Sequence, residues 1–136
     1  MAEKTYDLDF TGVGPLPTDQ RYLATLTKFD AAKASTGKEM VAAEFTIDEP
    51  ESFKGRKVFR NYILVEQSLP FLYPLLVACG EKREKLEVKS FKFNPAKYRG
   101  AQITLKVKTR ESEEFGDRSE PANYAPPSAY KEANVF

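Results

Sequence analysis

Residues 53–64 read FKGRKVFRNYIL, twelve positions that hold four cationic side chains (Lys54, Arg56, Lys57, Arg60) among three aromatic ones (Phe53, Phe59, Tyr62). Side chains alternate across a strand with a period of two. In this stretch Arg56, Val58, Arg60, Tyr62 and Leu64 share one face, and Lys57, Phe59, Asn61 and Ile63 share the other. Neither face is purely apolar, so the strand does not declare which side meets the core. The reading adopted from sequence turns Phe59 and Ile63 inward to join Val41, Phe45 and Ile47. It leaves Arg56, Arg60 and Tyr62 on an open face, with Tyr62 as a stacking ring and Arg60 beside it, since a guanidinium can both pair with phosphate and stack on a base. The competing reading packs Tyr62 beneath a helix with its hydroxyl at the rim.

The surrounding chain supplies the frame. From Arg21 the sequence alternates, with Leu23, Thr25, Thr27 and Phe29 on one face and Tyr22, Ala24, Leu26 and Lys28 on the other, the signature of a strand. Ser35-Thr36-Gly37-Lys38 offers the glycine that a hairpin loop requires. The return strand sets Val41, Ala43, Phe45 and Ile47 against Ala42, Glu44, Thr46 and Asp48, one face for a core and one for water. Pro50 and Gly55 bracket a second turn before the third strand, 57–65. In EQSLPFLYPLLVACGEK, Ser68 suits an N-cap, Pro70 the first turn and Gly80 the C′ position of a short helix, while Pro74 marks either a late start or a kink. Residues 82–92 are charged and weakly alternating, fitting a loop or a short strand. A further strand is plain in AQITLKVKTR, with Ile103, Leu105 and Val107 inward and Gln102, Thr104, Lys106 and Lys108 outward. A turn around Gly116 leads to a last strand near 119–124.

Three meandering strands, a helix and two more strands make a mainly β protein in the order of an OB-fold: a five-stranded antiparallel barrel with one helix between strands three and four. Residues 1–20 read as an irregular lead-in, 21–125 as the domain and 126–136 as a flexible tail. At 136 residues the chain suits one core.

Composition narrows the chemistry. Histidine is absent, which removes Ser-His-Asp and Cys-His catalysis and most zinc sites. Cys79, the single cysteine, lies in the apolar run LLVACG and reads as a buried, idle thiol. The expectation is a protein without catalysis, cofactor or metal. No apolar run reaches the roughly 18 residues of a membrane span, and MAEKTYDLDF lacks a secretory pattern, so a cytoplasmic protein is expected. The net charge of +1 conceals a division. Residues 1–52 carry five Lys/Arg against ten acids (−5), residues 53–110 fourteen against four (+10), and residues 111–136 two against six (−4). Either folding interleaves the blocks and neutralises them, or the centre presents a positive face to phosphates.

The succession GVGPLPTDQRYLATLTKF, STGKEMVAAEFTI, FKGRKVFRNYIL, an apolar helix ending ACG, and YRGAQITLKVKT resembles a family of small bacteriophage proteins, some described as single-stranded DNA-binding proteins. The resemblance covers about residues 10–124, and its most specific piece is S-T-G-K paired with the later F-K-G-R-K-x-F-x-N-Y. It implies an OB-like barrel that serves phage DNA replication or recombination in the host cytoplasm. Two prolines in the helix and the acidic passage after Arg110 depart from the family pattern.

Binding single strands without sequence preference needs cations that track phosphates and flat rings on which bases stack. The candidate DNA-binding residues are Lys33, Lys38, Arg56, Lys57, Arg60, Tyr62, Tyr98, Arg99, Lys106 and Lys108. Lys92, Phe91 and Phe93 extend the same path, although aromatics beside an Asn-Pro turn equally suit a barrel plug. Phe115 could close over a bound strand as a flap, and Phe136 could recruit replication or recombination proteins. A homo-oligomer is compatible with this reading. The rival function is an adaptor of the same fold whose basic face docks an acidic replication or recombination protein, and a second rival is an enzyme with a carboxylate-held magnesium ion.

Overall fold

The computed structural model describes residues 3–8, 14–111 and 117–131. Its frame is one sheet of five antiparallel strands: β1 (Tyr22–Lys33), β2 (Glu39–Glu49), β3 (Lys57–Ile63), β4 (Gln102–Arg110) and β5 (Arg118–Ala125). One helix, α1 (Leu69–Ala78), joins β3 to the second half. The order across the sheet is β3-β2-β1-β4-β5. The mainly β expectation and the placing of the helix between strands three and four hold.

β1 is long enough to serve two partners, and β-bulges let it do so. Leu26 faces Phe45 but Lys28 faces Glu44, so Thr27 is the extra residue. A bulge bends the strand and shifts which residues face which side. Tyr22, Ala24, Leu26 and then Phe29 are therefore buried together. The strict alternation expected from sequence had put Phe29 with Leu23 and Thr25, and the bulge is the reason it differs. β2 behaves as expected, with Val41, Ala43, Phe45 and Ile47 all in the core. The hairpin between them turns at Gly37, which takes φ +86°, a backbone region that side chains with a Cβ rarely adopt.

α1 is apolar on most sides. Pro70 sits in its first turn, where its missing N–H costs nothing, and the helix runs through Pro74. Leu72, Leu75, Leu76 and Ala78 are its buried residues. The exit is a Schellman motif: Glu81 N–H donates to Leu76 O (3.1 Å) and Gly80 N–H to Val77 O (3.0 Å), with Gly80 at φ +104°. Residues 82–92 contain a single helical turn, Arg83–Leu86. The segment expected to be a mobile tail begins with a packed 3-10 turn, Pro127–Tyr130, in which Ala129 is buried and its carbonyl accepts from Arg21 at 2.7 Å.

The two outer strands, β3 and β5, run parallel to each other, and side chains bridge them. Arg60 of β3 donates to the carbonyl of Pro121 at 2.9 Å, and the hydroxyls of Tyr62 and Tyr124 are hydrogen-bonded. Pro121 has no N–H to offer a ladder, which suits an outer strand beside the irregularity in the β4–β5 register at Lys106/Val107.

Here the expected facing of β3 is reversed. Val58 and Tyr62 are in the core at 2% exposure, and Phe59 is 60% exposed. The register forces this: Val41 faces Tyr62, Ala43 faces Arg60 and Phe45 faces Val58, and directly opposed residues of an antiparallel pair share a face. With Val41, Ala43 and Phe45 fixed inward, Tyr62 follows. Burial raises the Tyr62 phenol well above its ordinary pKa, so it remains a neutral hydrogen-bonding group. The Tyr62→Ala variant should lose about 3–5 kcal/mol of stability, as large buried aromatics do, whereas Tyr62→Phe should lose about 1 kcal/mol by removing one hydrogen bond of Tyr124, which keeps that with Arg60. Urea unfolding followed by circular dichroism measures both, and a Tyr62→Ala protein as stable as wild type would contradict the packing described.

Candidate nucleic-acid interface

The reversal of β3 decides what the outside of the sheet presents. Lys57, Phe59 and Asn61 project outward from β3, all exposed. Where β3 meets β5 and the end of β4, a groove of about 290 Å³ is lined by Phe59, Arg60, Asn61, Arg110, Arg118, Ser119 and Glu120. Three guanidinium groups and one carboxylate around an exposed ring give it a positive balance. Arg110 and Arg118 stand directly opposite each other at the ends of β4 and β5. Like charges so placed disfavour the pair, and an anion between them would relieve the repulsion. Glu120 reaches both Arg60 (3.8 Å) and Arg110 (3.6 Å), tempering the groove without neutralising it.

Arg60 itself is a structural member. It is mostly covered, holds the Pro121 carbonyl, and lies 5.3 Å from the Tyr62 ring centroid and 5.4 Å from that of Phe71. Tyr62, expected as the stacking ring, is in the core. The exposed ring is Phe59, which sequence reasoning had turned inward.

Other expected contacts are placed as follows. Lys33 and Lys38 are exposed about the β1–β2 hairpin. Arg56 donates to Gly14 O at 2.6 Å, tying down the lead-in. Lys57 lies 3.6 Å from Glu44, which is itself largely covered and accepts from Thr27 at 2.8 Å. Arg99 pairs with Asp30 at 2.9 Å. Lys108 is exposed near the end of β4, and Lys106 is half-buried on the same strand and has a partner. Phe115, Gly116 and Phe136 lie outside the described residues.

Tyr98 is also corrected: it is buried at 4% exposure. The 3-10 turn Pro95–Tyr98, capped by Asn94 accepting from Ala96 N–H at 3.1 Å, delivers it to the end of the sheet. Its ring stacks on Phe93 (6.0 Å) and meets Phe29 edge-on (6.3 Å), the plug arrangement. Its hydroxyl donates to Glu81 at 2.8 Å, and Lys97 reaches the same carboxylate at 3.0 Å. Cys79 is partly covered in this region, and burial pushes its thiol up to about 12, so it stays protonated at neutral pH. Among the described residues no group of three His, Cys, Asp or Glu side chains is placed to share a metal ion.

The rest of the outer face is polar and satisfied within itself. Thr25 donates to Asp48 (2.6 Å), Gln102 donates to Asp48 (3.2 Å), and Thr27 meets both Glu44 and Thr46. Asp48 and Glu44 make the middle of the sheet unattractive to a polyanion. Attraction is left to the β3–β5 seam and the hairpin tip.

No family model matches the chain, and no curated protein is significantly similar to it.

The pKa of Glu81 is lowered, first by the hydrogen bond from Tyr98 and then by that from Lys97. A depressed carboxyl contributes stability above the ordinary Glu value, about 4.3, and loses it as pH falls through the folded value. The wild-type protein should therefore shed stability below about pH 4.5 more steeply than Glu81→Gln, whose amide does not titrate. Thermal melts from pH 3 to 7 test this, and identical acid limbs in the two proteins would refute it.

Proposed function

We propose that this protein binds single-stranded DNA without catalysing a reaction on it, and that the strand lies along the β3–β5 seam with one base stacked on Phe59. The observation that carries the reading is an aromatic ring 60% exposed on the outer face of an outer strand, beside a groove with three arginines. Every base has a face to lay on such a ring, and the arginines beside it are placed for the phosphates. Arg110 and Arg118 are then the phosphate contacts at the seam, Asn61 and Ser119 supply neutral hydrogen bonds, and Lys33 and Lys38 extend the path at the hairpin.

The topology supports the same reading. The open order β3-β2-β1-β4-β5, the helix after β3 and the side-chain bridges between β3 and β5 support reading the sheet as OB-like, the outer strands sharing no backbone ladder. Such barrels commonly bind oligonucleotides across strands two and three and the adjoining loops. Fold alone does not establish function, so the weight rests on Phe59 and the arginines. The resemblance to phage single-stranded DNA-binding proteins supports a role in phage DNA replication or recombination as part of this proposal.

Fluorescence anisotropy with labelled dT oligonucleotides and a matched duplex separates this from the adaptor reading, in which single strands are not preferred and binding does not saturate. Phe59→Ala should weaken dT binding by about 1–3 kcal/mol, roughly 5- to 150-fold, with an unchanged melting temperature because the ring is exposed. Arg110→Ala with Arg118→Ala should make the log-log salt slope shallower by about 1.4, since each single-strand phosphate contact contributes about 0.7. Unaltered affinity in both variants at low salt would remove the seam from consideration.

A further inference from the structure

A second surface lies on another side of α1. Leu69, Leu72, Tyr73 and Leu76 fall at i, i+3, i+4 and i+7, one stripe of the helix. The segment after the helical turn, through Leu86, Val88 and Phe91, runs beside that stripe without closing over it. Between them is a groove of about 430 Å³, lined mainly by carbon. Leu69 is 47% exposed and Val88 53% exposed at its edge. Leu72 and Leu76 form its buried floor, and an apolar groove with exposed apolar edges suits an interaction site.

The rim indicates what it takes. Residues 82–92 carry Lys82, Arg83, Lys85, Lys89 and Lys92 against Glu84 and Glu87, a balance of +3, and all seven side chains are exposed. Lys89 lines the groove itself. An apolar slot flanked by cations complements an acidic segment with apolar anchors spaced to enter the slot, the helix-in-groove mode of peptide recognition. Nucleic acid suits it less well, because bases need open ring faces and the three rings of the lining, Tyr73, Phe91 and Phe93, are all half-buried, Phe93 being already stacked on Tyr98.

We infer that the groove between α1 and residues 86–93 docks an acidic segment of a protein partner, with leucine or phenylalanine anchors seated against Leu64, Leu69 and Val88. This surface is separate from the seam and does not depend on the reading of Phe59.

The experiment is selection of a randomised 16-residue peptide library on the intact protein, with counter-selection on Leu69→Glu and Val88→Glu variants, followed by titration of the enriched peptides. Both substitutions are at exposed positions, and circular dichroism confirms that the variants fold. The expected result is enrichment of peptides rich in Asp and Glu around two or more apolar anchors. They should bind saturably, weaken about tenfold or more with either variant, and weaken also with Lys89→Glu. Enrichment of basic or neutral peptides, enrichment indifferent to the variants, or no enrichment overturns the inference. A labelled dT oligonucleotide is titrated alongside. Loss of its binding in Val88→Glu would also overturn the inference, by reassigning the groove to nucleic acid, whereas loss confined to Phe59→Ala keeps the two surfaces distinct.

Discussion

The seam between β3 and β5 rests on one side chain, Arg60. Its guanidinium is largely taken out of water, and a buried charge is tolerable only when paired and hydrogen-bonded. The Pro121 carbonyl, the Glu120 carboxylate and the ring faces of Tyr62 and Phe71 meet that requirement together. They come from three pieces of the chain: β5, β3 itself and α1. Satisfying one cation therefore fixes how two strands without a shared ladder approach each other and where the helix lies across them. A lysine would not substitute, because the arrangement needs a flat group that stacks and donates in a plane at once.

The same constraint creates the outward face. A strand cannot turn Arg60 and Tyr62 inward without turning Lys57, Phe59 and Asn61 outward. Phe59 is exposed because its neighbours on both sides are required elsewhere. The groove beside it inherits Arg110 and Arg118 because β4 and β5 end there. An aromatic ring and three guanidinium groups against one carboxylate thus meet at one place through geometry that also stabilises the fold.

Most of the fold was legible in the sequence, and the failures are local. The apolar faces of β2 and β4, the glycines at 37 and 80 and the helix between were read correctly, because one-sided apolar patterns and left-handed turns leave direct marks, whereas Glu44 and Thr104, expected to face water, are buried, Thr104 donating to Pro126 O at 2.8 Å. β3 was misread because both its faces mix apolar and charged residues, and because the connection from β2 passes through the 3-10 turn Glu51–Phe53, so parity cannot be counted across it. The signal that could have corrected it was the partner strand: once Val41, Ala43 and Phe45 are inward, only the register is missing. The Thr27 bulge left no mark at all, since an extra residue in a ladder is a property of the pair and not of either strand. Of the candidate site, the stretch was legible and its outward side was not. Arg110 and Arg118 were passed over because they lie at strand ends on either side of a long acidic connection.

The charge blocks take on a different meaning once folded. Lys57 with Glu44, Arg60 with Glu120, Arg99 with Asp30 and Arg110 with Glu120 each join a cation of the basic centre to an acid of a flanking block. Interleaving and exposure, posed as alternatives by the sequence, both occur, at different positions. The cations drawn into these pairs and into the Glu81 clasp mostly hold the sheet and its plug together. Positive charge is in excess in two places, the seam, where three guanidinium groups share one carboxylate, and the exposed segment 82–92. The first lies beside an exposed ring and the second beside an apolar slot. A polyanion with stacking bases suits the one, and an acidic chain with aliphatic anchors suits the other. A net charge near zero thus coexists with two cationic surfaces because the acids are spent on structure.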